Sequence, residues 1–198
     1  MAIVLLSADK PFSEYEHLLE YANCERVSKI KSIKSDKEKS VLLLSHLLAK
    51  KIVSDELDIP FSHVEFSFNE HGKPCVKRDN YHFSISHSGN MIAFVSNLLP
   101  IGIDIQQTDN THAFSAMRFF TKNEQDYIAS DPKCFFEIWT KKEAYIKMLG
   151  TGLSTPLSGF DVLKEPVKDM LFSTCFDTFC LSICAENISK INTQIKYV

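Results

Sequence analysis

Residues 82–106 read HFSISHSGNMIAFVSNLLPIGIDIQ, and this stretch decides what kind of fold the chain adopts. Two strands are expected at His82–Ser86 and Met91–Ser96, joined by the turn signal Ser88-Gly89-Asn90. A third strand, Ile101–Ile105, follows Leu99-Pro100 and is apolar on both faces except for Asp104. A carboxylate in such a strand is costly unless something is bound to it. Asp104 and Gln106 alternate with Ile103 and Ile105, so both point to one side. Oxygen donors two apart on a strand suit a hard cation such as Mg²⁺. An aspartate that merely ends its strand and caps the next loop is the alternative.

Upstream, Ala2–Leu6 reads as a buried strand, and Ser35-Asp-Lys-Glu38 has the pattern of a capping box. An amphipathic helix follows, with Val41, Leu44, Leu48 and Ile52 on one stripe, and stops before Asp58-Ile-Pro60. Val64–Phe68 alternates as a half-buried strand does, and His71-Gly72-Lys73-Pro74 is a turn. Downstream, Thr121-Lys-Asn-Glu124 is a second capping box, and Asp131-Pro132 opens a longer helix that ends at Gly150. Strands are expected at Gly159–Leu163, Met170–Cys175, Phe179–Ala185 and Thr193–Val198. The order is strand, helix, strands, twice. The fold class is therefore α+β, built as two lobes, residues 1–100 and 101–198, with the seam at Leu99-Pro100.

Composition sets the outer limits. An apolar fraction of 44% and a charged fraction of 24% support a packed core. A net charge of −3 argues against a general nucleic-acid binder, although the segment from Arg26 to Lys51 is rich in lysine. Six cysteines show no CxxC pair and no zinc-like spacing, and Cys180 and Cys184 read as two thiols on one strand face. The apolar start is too short for a signal core, and no stretch reaches the length of a bilayer span. A cytoplasmic protein with no membrane association is expected.

Two further stretches carry chemistry. In Trp139-Thr-Lys-Lys-Glu-Ala-Tyr-Ile-Lys147, helical spacing puts Trp139, Glu143 and Lys147 on one face, where a carboxylate and an ammonium can hold a metal-bound phosphate. A surface ion pair is the plain alternative. In His82-Phe-Ser-Ile-Ser-His-Ser88, hydroxyl, imidazole and backbone N–H groups surround one turn, a fair phosphate cradle. Ser86 and His87 are adjacent on a strand and point apart, which excludes a catalytic Ser–His pair.

Gly72-Lys73-Pro74, Phe83-Ser-Ile-Ser-His-Ser88, Gly102-Ile-Asp-Ile105, Phe119-Phe-Thr-Lys-Asn-Glu124 and the Trp139–Lys147 block stand in that order. The set resembles the 4′-phosphopantetheinyl transferases, specifically the monomeric surfactin-synthetase-activating (Sfp) type, from about Arg26 to Pro156. The resemblance implies two similar α+β lobes about a pseudo-twofold axis, with coenzyme A in the cleft between them. It implies transfer of the phosphopantetheine arm to a serine of an acyl or peptidyl carrier protein, with release of 3′,5′-ADP. Asp104 and Glu143 fall on the Mg²⁺ carboxylates, and Lys147 on a lysine that contacts the pyrophosphate. Ser86, His87 and Lys142 fall among the coenzyme contacts, and Lys73 near the adenine end. Arg26, Lys29 and Lys31 are candidates for the 3′-phosphate. The family's Asp-x-Glu is Asp104-Ile-Gln106 here, so Gln106 offers a neutral oxygen in place of a charge. Phe114, Met117, Phe119 and Phe120, beside Arg118 and Lys122, form a candidate docking face for the carrier. A relative that has lost activity, or a metal-dependent phosphodiesterase, is the competing reading.

Overall fold

Strand β1 (Ile3–Ser7) is apolar enough to be flanked on both sides, and it lies inside a four-stranded sheet of order β4-β5-β1-β9. The computed structural model describes residues 3–109 and 111–198, and for residues 111–113 and 153 the backbone alone. Ala2, expected at the start of the first strand, lies outside the described residues. The expected hairpin is present as β4 (His82–Ser88) and β5 (Met91–Asn97), with Gly89 at φ +61° in its two-residue turn. That left-handed conformation is open to glycine without the clash a Cβ would bring.

Two small helices, α1 (Phe12–Tyr15) and α2 (Cys24–Ser32), precede the long α3 (Asp36–Leu57). Ser35 caps α3 by accepting from the Glu38 N–H, and Asp58 at φ 51° ends it. One face of α3 packs Ala49 and Val53 against Phe83 and Phe94 of the sheet, while Val41 and Leu44 meet Ile92. The strand expected at Val64–Phe68 shrinks to β2 (Ser67–Phe68), paired with β3 (Pro74–Cys75) around the predicted turn.

The second sheet, of order β6-β8-β7, holds β6 (Ile101–Gln107), β7 (Leu171–Phe176) and β8 (Phe179–Ala185), all antiparallel. Helix α4 (Lys122–Ser130) begins with both halves of its capping box formed. Helix α5 (Phe135–Leu149) lies against β6 and β8, and Gly150 at φ +71° ends it. The approach of α5 is possible because residue 102 is glycine. A Cβ there would stand 2.0 Å from the Ala144 carbonyl oxygen and 2.4 Å from the Met148 nitrogen.

Two expectations need correction, while the strand expected at Thr193–Val198 is present in shorter form. Gly159–Leu163 forms no strand, because its backbone groups are taken by side chains: Lys142 Nζ donates to the Phe160 carbonyl and Val162 N–H to Glu124. The C-terminal strand β9 (Ile195–Tyr197) pairs parallel with β1, so the chain end returns to the first sheet. Cys180 is not a free thiol. It forms a disulfide with Cys175, directly opposite in the β7–β8 hairpin, while Cys184 remains a buried thiol. Among the described residues, no helix is long and apolar enough to cross a membrane.

The two sheets meet along β4 and β6 without a backbone ladder. Ser84, Ser86 and Ser88 instead accept from the backbone N–H groups of Ile103, Ile105 and Gln107 at 3.1, 3.4 and 2.9 Å. Strand geometry sends every second side chain the same way, so the alternate serines meet alternate N–H groups. The largest core cluster spans both sheets, with Ile3, Leu5 and Val95 packed against Ile101, Ile103 and Ile183.

Gly102→Ala should therefore destabilise the protein by more than about 2 kcal/mol in urea unfolding, since two backbone segments would have to move apart. A midpoint equal to wild type would mean that α5 does not rest on β6 as described.

Candidate active site

A cleft of about 500 Å³ opens where β4, β6, α3 and α5 come together. Its floor is charged. Asp104, 2% exposed, accepts from Lys147 Nζ at 2.6 Å and from the Ser86 hydroxyl at 2.6 Å, both on Oδ1. Lys147 Nζ also donates to Ser86 Oγ at 2.8 Å. Ser86 thus ties the strand aspartate to the helix lysine and holds the Ile105 N–H as well. Its structural part is to fix Asp104. An ammonium has three donors, and the cleft contacts of Lys147 leave one of them for a ligand.

Glu143 stands one helical turn before Lys147, and Trp139 one turn before that. All three line the same cleft, as their spacing requires. Burial pushes the Glu143 carboxyl above its ordinary range, the Asp104 charge adds to this, and Lys147 opposes it. His87 lines the cleft from β4. Desolvation lowers its pKa, aided by Lys147 and opposed by Asp104. Gln106 lies beside Asp104, as the strand period demands, but its amide Nε2 donates to Asp104 Oδ2 at 3.1 Å.

Among the described residues, no group of three or more His, Cys, Asp or Glu side chains could hold a metal ion. Mg²⁺ does not need one, because it commonly binds through one or two carboxylates and completes its shell with substrate phosphates and water. Asp104 and Glu143, with Gln106 lining the same cleft, are an oxygen-bearing donor set that fits this manner of binding.

Lys73 points to a different task from a simple ligand contact. Its ammonium donates to the Ile101 and Lys147 carbonyls at 3.0 and 2.6 Å, and Asn69 Nδ2 donates to the Gly150 carbonyl at 2.7 Å. The β2–β3 hairpin is thereby strapped to the end of α5, beside a second cavity of about 300 Å³ that also reaches Glu143 and Lys147. Burial lowers the Lys73 pKa to about 8, with Lys147 contributing. The strap was not legible in the sequence, since Asn69 shares no motif with the carbonyls it meets.

Lys142 is a correction. Both its side chain and that of Glu124 are 0% exposed, and they pair at 2.8 Å in the core beneath α5. The ammonium also donates to the Leu157 and Phe160 carbonyls. It cannot reach a ligand in the cleft, because five residues along a helix from Lys142 to Lys147 turn the side chain away. The segment expected as a docking face divides between core and surface. Phe114 stacks on Phe135 at 4.4 Å, Phe120 is buried, and Met117 packs in the same cluster. Phe119 alone of the four presents an exposed ring, at 51%, with Arg118 over it.

At the other end of the cleft, Arg26 and Lys29 from α2 line the wall, and the exposed Lys31 does not. His46 of α3, with Phe66 and Phe68, completes that end. Sequence reasoning missed all three. The signal for His46 was a lone titratable group inside the apolar run Leu42–Leu48.

Comparison with known proteins identifies the family. A family model described as the 4′-phosphopantetheinyl transferase superfamily matches residues 100–195, and one described as 4′-phosphopantetheinyl transferase, N-terminal, matches residues 9–99. The chain is 34% identical over 170 residues to 4′-phosphopantetheinyl transferase Sfp of Bacillus subtilis (strain 168), covering 82% of this chain and 76% of that protein. It is 33% identical to 4′-phosphopantetheinyl transferase ffp of Bacillus subtilis over the same shares. The L-aminoadipate-semialdehyde dehydrogenase-phosphopantetheinyl transferase of Mus musculus is 27% identical over 164 residues, 73% of this chain and 53% of its own length.

Lys142→Met should cost about 3 kcal/mol of stability, because it leaves the Glu124 charge buried and unpaired. Ligand affinity of the folded protein should stay at the wild-type value. Unchanged stability with weakened binding would return Lys142 to the cleft.

Proposed function

The chain belongs to the 4′-phosphopantetheinyl transferase family, and from that premise we propose that it takes coenzyme A, with Mg²⁺, and transfers the phosphopantetheine arm to a serine of an apo carrier protein. The serine oxygen forms a bond to the phosphorus that carries pantetheine, the bond from that phosphorus to the ADP oxygen breaks, and 3′,5′-ADP leaves. The observation that carries this reading is the convergence of Asp104 from a strand and Glu143 from a helix on one cleft, with Lys147 beside them.

Positioning and charge neutralisation dominate phosphoryl-type transfer. Bound by Asp104 and Glu143, Mg²⁺ would supply positive charge to the diphosphate. Lys147 offers its free N–H to the same oxygens, and Ser86 holds both Lys147 and Asp104 in place. His87 contacts a coenzyme phosphate from the β4 side. Glu143 receives the proton of the carrier serine, a role helped by burial that favours its protonated form. Lys73 keeps the hairpin at the adenine end in register with α5. Exposed Phe119, with Arg118 and Lys122, is the part of the apolar segment free to meet an acidic carrier. A monomer acting in the cytoplasm suits this chemistry.

Glu143→Gln should lower transfer about a thousandfold, read as the mass gained by an apo carrier. Near-normal transfer in that variant would reject the assignment, and breakdown of coenzyme A without a carrier would favour a phosphodiesterase. Gln106→Glu should tighten Mg²⁺ binding in a calorimetric titration, since it replaces an amide oxygen with a charge. Equal affinity would place Gln106 outside the reach of the ion.

A further inference from the structure

His46 is buried to 8% exposure on the face of α3 that looks into the cleft, and neither ring nitrogen has a hydrogen-bond partner among the described residues. Buried polar groups without partners cost stability, so such a group points to something that binds it. The ring is held edge-on against Phe66, with centroids 5.7 Å apart. It also borders a side cavity of about 120 Å³ shared with Arg26, Lys29 and Phe68. The Arg26 guanidinium and the Lys29 ammonium make no ion pair or hydrogen bond with any described residue.

Three donors without partners and two aromatic walls thus meet at a side cavity that neither Asp104 nor Glu143 lines. The charged groups facing the imidazole are Arg26 and Lys29 from α2 and Lys50 one turn on along α3, with Glu25 at the rim of the side cavity. Cations outnumber the carboxylates, which are Glu25 at the rim and Glu65 toward Lys50, and this favours an anion there. Burial, then Arg26 and Lys50, lower the His46 pKa to about 4, so the ring is neutral at neutral pH and keeps one N–H to donate. Lys50 is itself drawn aside, its ammonium 4.7 Å from the centre of the Phe61 ring.

We propose that His46 donates a hydrogen bond to a phosphate at the nucleotide end of the ligand, alongside Arg26 and Lys29, and so selects the ligand that carries that phosphate. This rests on the coenzyme A reading. It adds His46 of α3 to the phosphate candidates Arg26 and Lys29 of α2.

Calorimetric titration of the whole protein with coenzyme A and with its 3′-dephospho form tests it. Wild type should prefer coenzyme A. His46→Phe, which keeps a ring against Phe66 but has no donor, should weaken coenzyme A binding about tenfold or more and leave the dephospho form within about twofold. His46→Asn, too short to reach, should behave the same way and serves if the Phe variant does not fold. His46→Gln can place an amide N–H near the ring donor and should recover most of the affinity. Wild-type coenzyme A affinity in the folded Phe or Asn variant overturns the proposal. An equal loss for both ligands also overturns it, because His46 would then be only a packing wedge. If wild type binds neither ligand, the coenzyme reading fails first.

Discussion

Three serine hydroxyls on β4, gripping three N–H groups of β6, are the constraint on which the rest of the molecule depends. A backbone ladder would have fused the two sheets into one and closed the space between them. Side-chain acceptors hold the strands further apart, still satisfy the buried N–H groups, and leave a seam on which a cleft can form. Ser86 serves both purposes, since the hydroxyl that accepts from Ile105 also donates to Asp104.

The charge layout of the cleft follows from how each element enters it. Asp104 is buried because β6 is a core strand, and it is tolerable there because Lys147 and Ser86 saturate one of its oxygens. Gly102, two residues earlier, lets α5 come close enough for Lys147 to do so. The acidic end is therefore made by packing. The basic end is made by Arg26 and Lys29 of α2 and by His46 of α3, whose ring nitrogens have no hydrogen-bond partner among the described residues. One end pairs the charge of Asp104 with Lys147, and the other does not pair the cations of Arg26 and Lys29 with any described residue.

Lys142 and Lys147 show how far a one-dimensional reading reaches. Both belong to the same motif block, and both are lysines on α5. The helix turns one of them into the core against Glu124 and the other into the cleft against Asp104. Helical spacing alone separates Lys142 from the Trp139–Glu143–Lys147 face. Its destination, a buried ion pair with the residue that also closes a capping box, required the position of α4. The Phe114–Phe120 segment teaches the same lesson: aromatic residues in a run look like a docking face until Phe135 and Trp139 are seen stacked among them.

Local patterns were enough for the capped helices, the hairpin over residues 82–97, the shared face of Trp139, Glu143 and Lys147, and the shared side of Asp104 and Gln106. Each of these depends on bonds or periodicities within a few residues. Only the tertiary structure decided the serine seam, the strap from Lys73 and Asn69 to α5, the return of β9 to β1, the Cys175–Cys180 bridge and the unpartnered His46. Those contacts join residues far apart in the chain or on separate elements, and whether a polar group finds a partner depends on what packing brings beside it.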